Sequence, residues 1–86
     1  MNEFVLKPDM LQKVESSQIA AIGHDPLTNT LVIQFPGYAG ASGSVYTYAN
    51  FTAEDFEAFR NAPSVGSYFY KFIKPNSLKY PYKKIS

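Results

Sequence analysis

An eleven-residue segment near the C-terminus, KPNSLKYPYKK from Lys74 to Lys84, has the residue types of a nucleic-acid contact. It contains four lysines and two tyrosines and no acidic residue. Lysines neutralise phosphates, and tyrosine rings stack on unpaired bases. With two preceding residues, the candidate nucleic-acid-binding residues are Tyr70, Lys71, Lys74, Lys79, Tyr80, Tyr82, Lys83 and Lys84. The alternative is a solvated helix face followed by a tail whose Tyr80 and Tyr82 pack on a sheet.

A second pair of tyrosines, Tyr46 and Tyr48, lies in the segment SVYTYA and is open to two interpretations. Because side chains alternate along a strand, both rings should lie on one side of a sheet. If helices cover only the other face, the rings can stack on bases, as aromatic residues do in RNA-binding sheets. If the rings face the helices, they belong to the core, which so short a chain needs to fill.

Patterns typical of catalysis or metal binding do not occur in the sequence. His24 is the only histidine, and Asp25 beside it does not make a cluster of metal ligands. No serine lies in a recognisable nucleophile turn. The glycines of PGYAGASG, residues 36–43, lack the lysine and the helix start of a phosphate-binding loop. We therefore expect no enzyme activity, no cofactor and no metal, with His24 in a turn and residues 36–43 as a flexible connection.

The length and composition predict one small domain. A chain of 86 residues builds a single core, and without cysteine it has neither disulfides nor a thiolate metal site. Seven Phe and seven Tyr must supply much of that core. No apolar run approaches the ~20 residues of a membrane span, and the N-terminus lacks the layout of a signal peptide. These features predict a soluble, cytoplasmic protein.

Charge is distributed unevenly, although the net charge is only +1. Residues 1–57 contain all seven acidic residues and two lysines, for a net charge of −5. Residues 58–86 contain one arginine and five lysines and no acidic residue, for a net charge of +6. Such a chain can present a basic face without being a basic protein.

Three strands are predicted, at residues 17–25, 30–35 and 44–49. The clearest is TLVIQF, in which apolar and polar residues alternate, and the turn formers PLTN precede it. Sequential strands joined this closely should form an antiparallel meander. Residues 1–13 are predicted to be an extension, in which FVL can add a strand and PDMLQK can form one helical turn. The domain proper is then residues 14–86.

Two short helices should follow the strands. Thr52 has the properties of an N-cap, with Phe51 and Phe56 as a hydrophobic staple, and Phe59 shares the buried face with Phe56. A second helix should begin after Ser64 and stop at Pro75. On a helical wheel, the buried arc contains Val65, Tyr68, Phe69, Phe72 and Ile73. The opposite arc contains Ser67, Tyr70, Lys71 and Lys74, which places Tyr70 outside among lysines.

The sequence therefore predicts an α+β fold, a three-stranded antiparallel β-meander followed by two short α-helices packed on one face. The C-terminal tail should run back along the sheet.

Five segments, taken in order, resemble the KTSC domain family. They are VESSQIAAIGHD, TLVIQF, VYTYA, APSVGSYFYKFIK and YPYKK. The central mark of the family is a Tyr-x-Tyr pair, here Tyr46 and Tyr48. A further mark is the Ser-x-Gly-x-Tyr-Phe run that begins at Ser64. The resemblance extends from about Val14 to the end of the chain.

The sequence departs from the family pattern at three places. His24 replaces the Tyr that is more frequent there, Tyr70 replaces an Asn, and the loop at residues 36–43 is longer than usual. The family occurs at the C-terminus of some lysyl-tRNA synthetases and as small proteins of bacteria and phages. It has no established activity, and its attachment to a tRNA synthetase implies RNA binding by association.

Two functions remain as alternatives. The first is a non-catalytic binding module whose basic, tyrosine-containing C-terminal face contacts RNA or single-stranded nucleic acid. The second is a protein-interaction module, a bacterial or phage accessory or regulatory protein, with no nucleic-acid contact. In either case we expect no membrane contact and a monomer or weak dimer.

Overall fold

The computed structural model describes residues 6–38 and 43–86. Within them, five strands form one antiparallel sheet in sequential order. The strands are β1 (Gln12–Lys13), β2 (Ala21–Asp25), β3 (Thr30–Gln34), β4 (Val45–Tyr48) and β5 (Tyr82–Lys84). The helices are α1 (Ala53–Arg60) and α2 (Val65–Tyr68), with a 3-10 turn at Pro8–Met10 and a π-helical turn at Phe69–Ile73. The predicted α+β class is confirmed, whereas the predicted number of strands is wrong.

The two unpredicted strands are the edges of the sheet. β1 has only two residues and β5 only three, too few to show the alternation that reveals a strand in a sequence. The predicted return of the tail takes the form of pairing, with Tyr82 opposite Tyr48 and Lys84 opposite Tyr46. The helical turn predicted in PDMLQK is present at Pro8–Met10. The strand predicted in FVL includes residues 4 and 5, which lie outside the described residues.

The turn predicted between β2 and β3 is present at residues 26–29. The Asp25 carboxylate accepts from the Leu27 backbone N–H and the Thr28 hydroxyl, both at 3.0 Å. Asn29 has a φ of 52°, a left-handed conformation that Asn tolerates better than most residues. These local contacts set the register that places Ile22 opposite Ile33. The connection predicted at 36–43 includes residues 39–42, which lie outside the described residues.

Helix α1 begins at the predicted N-cap. The Thr52 hydroxyl accepts from the Asp55 backbone N–H, and the Asp55 carboxylate accepts from the Thr52 backbone N–H, both at 3.1 Å. This reciprocal capping box satisfies two donors that a helix start otherwise leaves free. Phe59 then points into the core and is fully buried, while Phe56 is only partly buried.

The second helix begins at the predicted Ser64 N-cap, whose hydroxyl accepts from the Ser67 backbone N–H at 3.2 Å. From Phe69 to Ile73 it widens into a π-helical turn, in which the Lys74 N–H donates to the Phe69 carbonyl. The extra residue in this turn changes which side chains face inward. Phe69 and Ile73 are buried, but Phe72 is 54% exposed, so its predicted place in the core is wrong. Tyr70 is exposed, as predicted.

The main core lies between the helices and one face of the sheet. Ile22, Leu31 and Ile33 supply the sheet side, and Phe51, Phe59 and Phe69 supply much of the opposite side. The register places Tyr46 and Tyr48 on this same face, because they lie opposite Ile33 and Leu31. Of the two interpretations of the pair, a place on an uncovered sheet face is therefore wrong.

The second face of the sheet is covered in part by the segment before β1. A Cβ on Gly23 would collide with the Met10 carbonyl oxygen, so only glycine allows this approach. Neighbouring Val32 and Ala21 are buried on this face. The chain therefore uses its N-terminal 3-10 turn to protect apolar side chains that helices α1 and α2 do not reach.

Candidate functional site

A groove of about 890 Å³ lies between the helix-side face of the sheet, the π-helical turn and the C-terminal segment. Six of the seven tyrosines line it, and we call it the tyrosine groove. These tyrosines are Tyr38, Tyr46, Tyr48, Tyr70, Tyr80 and Tyr82. The other lining residues include Phe35, Phe69 and Ile73 as apolar groups and Ser17, Gln18, Ser44, Lys74 and Ser77 as polar groups.

Tyr48 and Tyr80 form the floor of the tyrosine groove. Tyr48 is 6% exposed and contacts Phe69 edge to face, with ring centroids 5.6 Å apart. Tyr80 is 7% exposed and contacts Phe51 in the same manner at 5.2 Å. Among the described residues, neither hydroxyl makes a hydrogen bond, and neither is sealed from solvent. Both phenols therefore have a packed ring and an oxygen that is open to the groove.

Three exposed tyrosines form the rim. Tyr38, Tyr70 and Tyr82 are 87%, 42% and 61% exposed, and they come from the segment after β3, the π-helical turn and β5 respectively. The Tyr82 ring is tilted over Tyr46 and Tyr48, with ring centroids 6.1 Å from each. Tyrosine side chains from three separate segments thus border one groove, an arrangement suited to a flat aromatic ligand.

Two lysines, Lys74 and Lys84, lie near the groove. Lys74 lines the groove, and its Nζ lies 4.9 Å from the centre of the Tyr70 ring. Lys84 lies opposite Tyr46 in the β4–β5 ladder, on the same side of β5 as Tyr82. No acidic residue lines the groove within the described ranges. The local charge is therefore positive, which favours an anionic group at the rim.

The structure divides the predicted patch of lysines and tyrosines. Tyr46, Tyr48, Tyr70, Lys74, Tyr80 and Tyr82 are brought together around the groove. Lys83 lies opposite Thr47 and so faces the other side of the sheet from Tyr82. Lys71 lies at a second, smaller depression with Phe72. Lys79 is placed over the Tyr80 ring, with its Nζ 5.2 Å from the ring centre.

Burial raises the pKa of the Tyr48 phenol well above its usual value. Its neighbours Tyr46, Tyr82 and Tyr70 add to this effect, because a negative charge on any of them would repel a phenolate at Tyr48. The Tyr48 hydroxyl therefore remains protonated at neutral pH and keeps its capacity to donate a hydrogen bond.

Sequence reasoning missed several lining residues. Tyr38 and Ser44 flank a loop whose conformation no local pattern predicts, and Gln18 precedes β2 without a distinctive motif. Phe69 lies in the core, as the sequence predicts, and it also lines the groove. The only sequence signal for the whole set was the high tyrosine content of the chain.

Gly66, in the Ser-x-Gly-x-Tyr-Phe run, has a physical role at the edge of the site. Gly66 is buried at the start of α2, where an added Cβ would collide with the Gln18 side-chain oxygen and lie 3.2 Å from the Ser16 hydroxyl. The Ser16 hydroxyl accepts from the Gln18 and Ile19 backbone N–H groups, which holds this segment in place. Glycine therefore lets α2 lie against the segment that carries Gln18 into the groove.

His24 has a structural contact instead of a place in a turn, so that prediction is wrong. It is the fourth residue of β2, and its Nε2 donates to the Phe51 carbonyl at 2.6 Å. In residues 6–38 and 43–86, no three His, Cys, Asp or Glu side chains converge in a way that could hold a metal ion. Over the same ranges, none of the helices has the length and apolar character needed to cross a bilayer.

Comparison with known proteins finds the same domain in several contexts. Residues 15–78 match the family model described as the KTSC domain. A lysine–tRNA ligase from Nostoc sp. is 44% identical over 64 residues, which is 74% of this chain and 10% of the ligase. A second, from Trichormus variabilis, is 40% identical over 76 residues, or 88% of this chain and 12% of the ligase. The chain thus spans about a tenth of the length of these curated relatives.

Proteins of similar size also match. A protein from Tsukamurella paurometabola is 35% identical over 65 residues, which is 76% of this chain and 90% of that protein. Among solved structures, the crystal structure of a KTSC domain protein from Yersinia pestis matches with a TM-score of 0.74 and 34% identity. That match covers 88% of this chain and 96% of the other.

Proposed function

The chain belongs to the KTSC domain family, and from that premise we propose that it is a non-catalytic module that binds RNA or single-stranded nucleic acid in the tyrosine groove. The observation that carries the proposal is the rim. Three exposed tyrosine rings and Lys74 surround one groove that no acidic residue lines within the described ranges. A cytoplasmic location and a monomeric or weakly dimeric state belong to the same proposal.

The two residue types at the rim supply two separable kinds of binding energy. A base stacked on an aromatic side chain contributes about 1–3 kcal/mol, almost independently of salt. A lysine that neutralises a phosphate contributes through counterion release, which salt weakens. Lys74 beside the Tyr70 ring, and Lys84 beside Tyr82 on β5, place a positive charge next to each of two stacking surfaces. That spacing fits a nucleotide, whose base and phosphate are neighbours.

The relatives add a reason to choose RNA. Three of the similar proteins are lysine–tRNA ligases, which by name act with a tRNA. The matching region is a small part of each ligase, so the likeness supports contact with RNA and does not extend the ligase reaction to this chain.

The test is the binding of fluorescent ten-nucleotide single-stranded RNA, followed by anisotropy at several salt concentrations. If two phosphates are neutralised, the log–log slope of affinity against salt should be about −1.4. Lys74→Ala should lower the affinity and bring the slope closer to zero, because one phosphate contact is lost. Tyr82→Ala should weaken binding by roughly 1–3 kcal/mol per lost base contact and leave the slope unchanged. Tyr82→Phe retains a stacking ring and should bind nearly as wild type does.

Lys13→Ala is the matched control, because Lys13 is an exposed lysine in β1, at the opposite edge of the sheet from β5. It should leave both affinity and slope unchanged. If wild-type protein binds neither RNA nor DNA strands at low salt, the proposal is rejected.

Rejection would favour a protein-interaction module instead. The observation for that function is the second depression, which is lined by Ala62, Pro63 and Tyr68 together with the half-exposed Phe72. Its apolar side chains and Lys71 resemble the mixed surface of a small protein contact.

A further inference from the structure

We infer that the floor of the tyrosine groove holds one unpaired nucleobase by its hydrogen-bonding edge, with the hydroxyls of Tyr48 and Tyr80 as the contacting groups. This inference deepens the proposed function and rests on it. The proposed function concerns the stacking rings and the lysine at the rim. The inference adds a base-binding position below them.

The first observation is that two largely buried tyrosines have hydroxyls that make no hydrogen bond to the described residues and stay accessible. The rings of Tyr48 and Tyr80 are more than nine-tenths buried, yet neither hydroxyl has a hydrogen bond and both remain open to the groove. An accessible hydroxyl of this kind is satisfied by water or by a ligand group, whereas a sealed one would need a partner within the protein. Phenylalanine would fill either position with the same ring and without the unpaired oxygen. The two hydroxyls are therefore suited to a group that enters from the groove.

The second observation is the chemistry of the walls. Phe35 and Phe69 present apolar ring surface, while Gln18, Ser44 and Ser77 supply polar side chains. Flat apolar walls with polar groups at the base fit a flat ring whose edge carries donors and acceptors. A nucleobase has this form, and a sugar or a bare phosphate does not.

The third observation concerns the character of the hydrogen bonds. A protonated phenol can both donate and accept, so it can pair with a carbonyl oxygen, a ring nitrogen or an exocyclic amine. Double-stranded nucleic acid cannot offer these edges, because they are paired with the opposite strand. The floor therefore favours a base that is unpaired and turned out of a stack.

Two variants isolate the hydroxyls. Tyr48→Phe and Tyr80→Phe keep the ring contacts with Phe69 and Phe51 and remove only one oxygen each. Since neither hydroxyl has a hydrogen bond to the described residues, thermal stability should stay at or above that of wild type. Tyr68→Phe is the matched control, because Tyr68 is the one tyrosine that does not line the groove.

Binding is measured by titration calorimetry with three ligands: a uridine pentamer, the same pentamer with all five bases removed, and uridine monophosphate. Wild type should bind the full pentamer more tightly than the abasic one. Tyr48→Phe and Tyr80→Phe should each weaken the full pentamer about three- to tenfold, the range of one neutral hydrogen bond. They should leave the abasic pentamer and the salt slope unchanged, and Tyr68→Phe should match wild type throughout.

The outcomes separate the two proposals. If the pentamer binds, but both phenylalanine variants have the same affinities as wild type for the full and the abasic pentamer, the floor inference is wrong and the proposed function stands. If uridine monophosphate binds as tightly as the pentamer and is weakened by Tyr48→Phe, the floor inference stands and the ligand is a free nucleotide instead of a strand. If none of the three ligands binds, the proposed function fails and the inference falls with it.

Discussion

The imidazole of His24 lies 5.2 Å from the ring of Phe56, with an angle of 17° between the two planes. The same imidazole donates from Nε2 to the Phe51 carbonyl. His24 thus joins β2 to both sides of the Thr52 N-cap, because Phe51 precedes it and Phe56 lies in the first turns of α1. Histidine is often a catalytic or metal-binding residue, but His24 contacts the residues on both sides of the N-cap and so helps to position the start of α1.

Substitution of His24 separates the stacking contact from the hydrogen bond. His24→Phe keeps a ring over Phe56 but leaves the Phe51 carbonyl unpaired, so we expect a loss of about 1–3 kcal/mol in the free energy of unfolding. His24→Ala removes the ring contact as well and should cost more. Urea denaturation gives both values. Equal losses for the two variants would show that the ring contact contributes nothing.

The π-helical turn predicts a contrast between two phenylalanines. Phe69→Ala should cost about 3–5 kcal/mol, the usual effect of emptying a buried aromatic site. Phe72→Ala should cost about 1 kcal/mol or less, because its ring is more than half exposed. Both losses are measured by urea denaturation, in which the dependence of the free energy of unfolding on urea concentration should equal that of wild type. Similar large losses would indicate a regular helix in which both rings are buried.

The same turn shows where prediction from sequence stops. The helix start at Ser64 and its end before Pro75 depend on capping and on the proline ring, which are local effects, and both were predicted correctly. A wheel of 3.6 residues per turn cannot represent a π-helical turn, so Phe72 was placed in the core. Phe69 and Ile73 pack in the core, and a helical wheel contains no information on such tertiary contacts.

The candidate site divides in a similar way. The sequence indicated tyrosines and lysines at the C-terminus, and the structure brings many of them to one groove. The side of the sheet on which each lysine falls depends on the pairing of β5 with β4, and a three-residue strand has no pattern that predicts its register. For this reason the sequence predicts one patch that contains both Lys83 and Lys84, although the two face opposite sides of the sheet. Tyr38 also lines the groove, although no pattern in the sequence indicates it.

The close approach of Gly23 to Met10 predicts the effect of one added methyl group. Gly23→Ala places a Cβ on the Met10 carbonyl, a backbone atom that can move only with the 3-10 turn, so we expect destabilisation of about 1–3 kcal/mol. Gly66→Ala is the matched comparison, since its Cβ meets chiefly the end of the flexible Gln18 side chain. Alanine also has a higher helix propensity than glycine. A smaller loss for Gly66→Ala in thermal unfolding is therefore expected, and a larger one would contradict the assigned contacts.

The raised pKa of Tyr48 predicts how stability depends on alkaline pH. In the unfolded chain a tyrosine loses its proton near pH 10, whereas in the folded protein Tyr48 holds its proton to higher pH. Above about pH 10 the unfolded state therefore binds fewer protons than the folded state at this position, and the free energy of unfolding falls as pH rises. The contribution is fully present below pH 10.

Tyr48→Phe removes the titrating group, so its stability should decline less steeply than that of wild type between pH 10 and 12, as measured by urea denaturation at each pH. Absorbance at 295 nm gives an independent check, because the late-titrating signal of Tyr48 should be present in wild type and in Tyr68→Phe and absent from Tyr48→Phe. Identical alkaline profiles for wild type and Tyr48→Phe would show that burial does not raise the pKa of the Tyr48 hydroxyl.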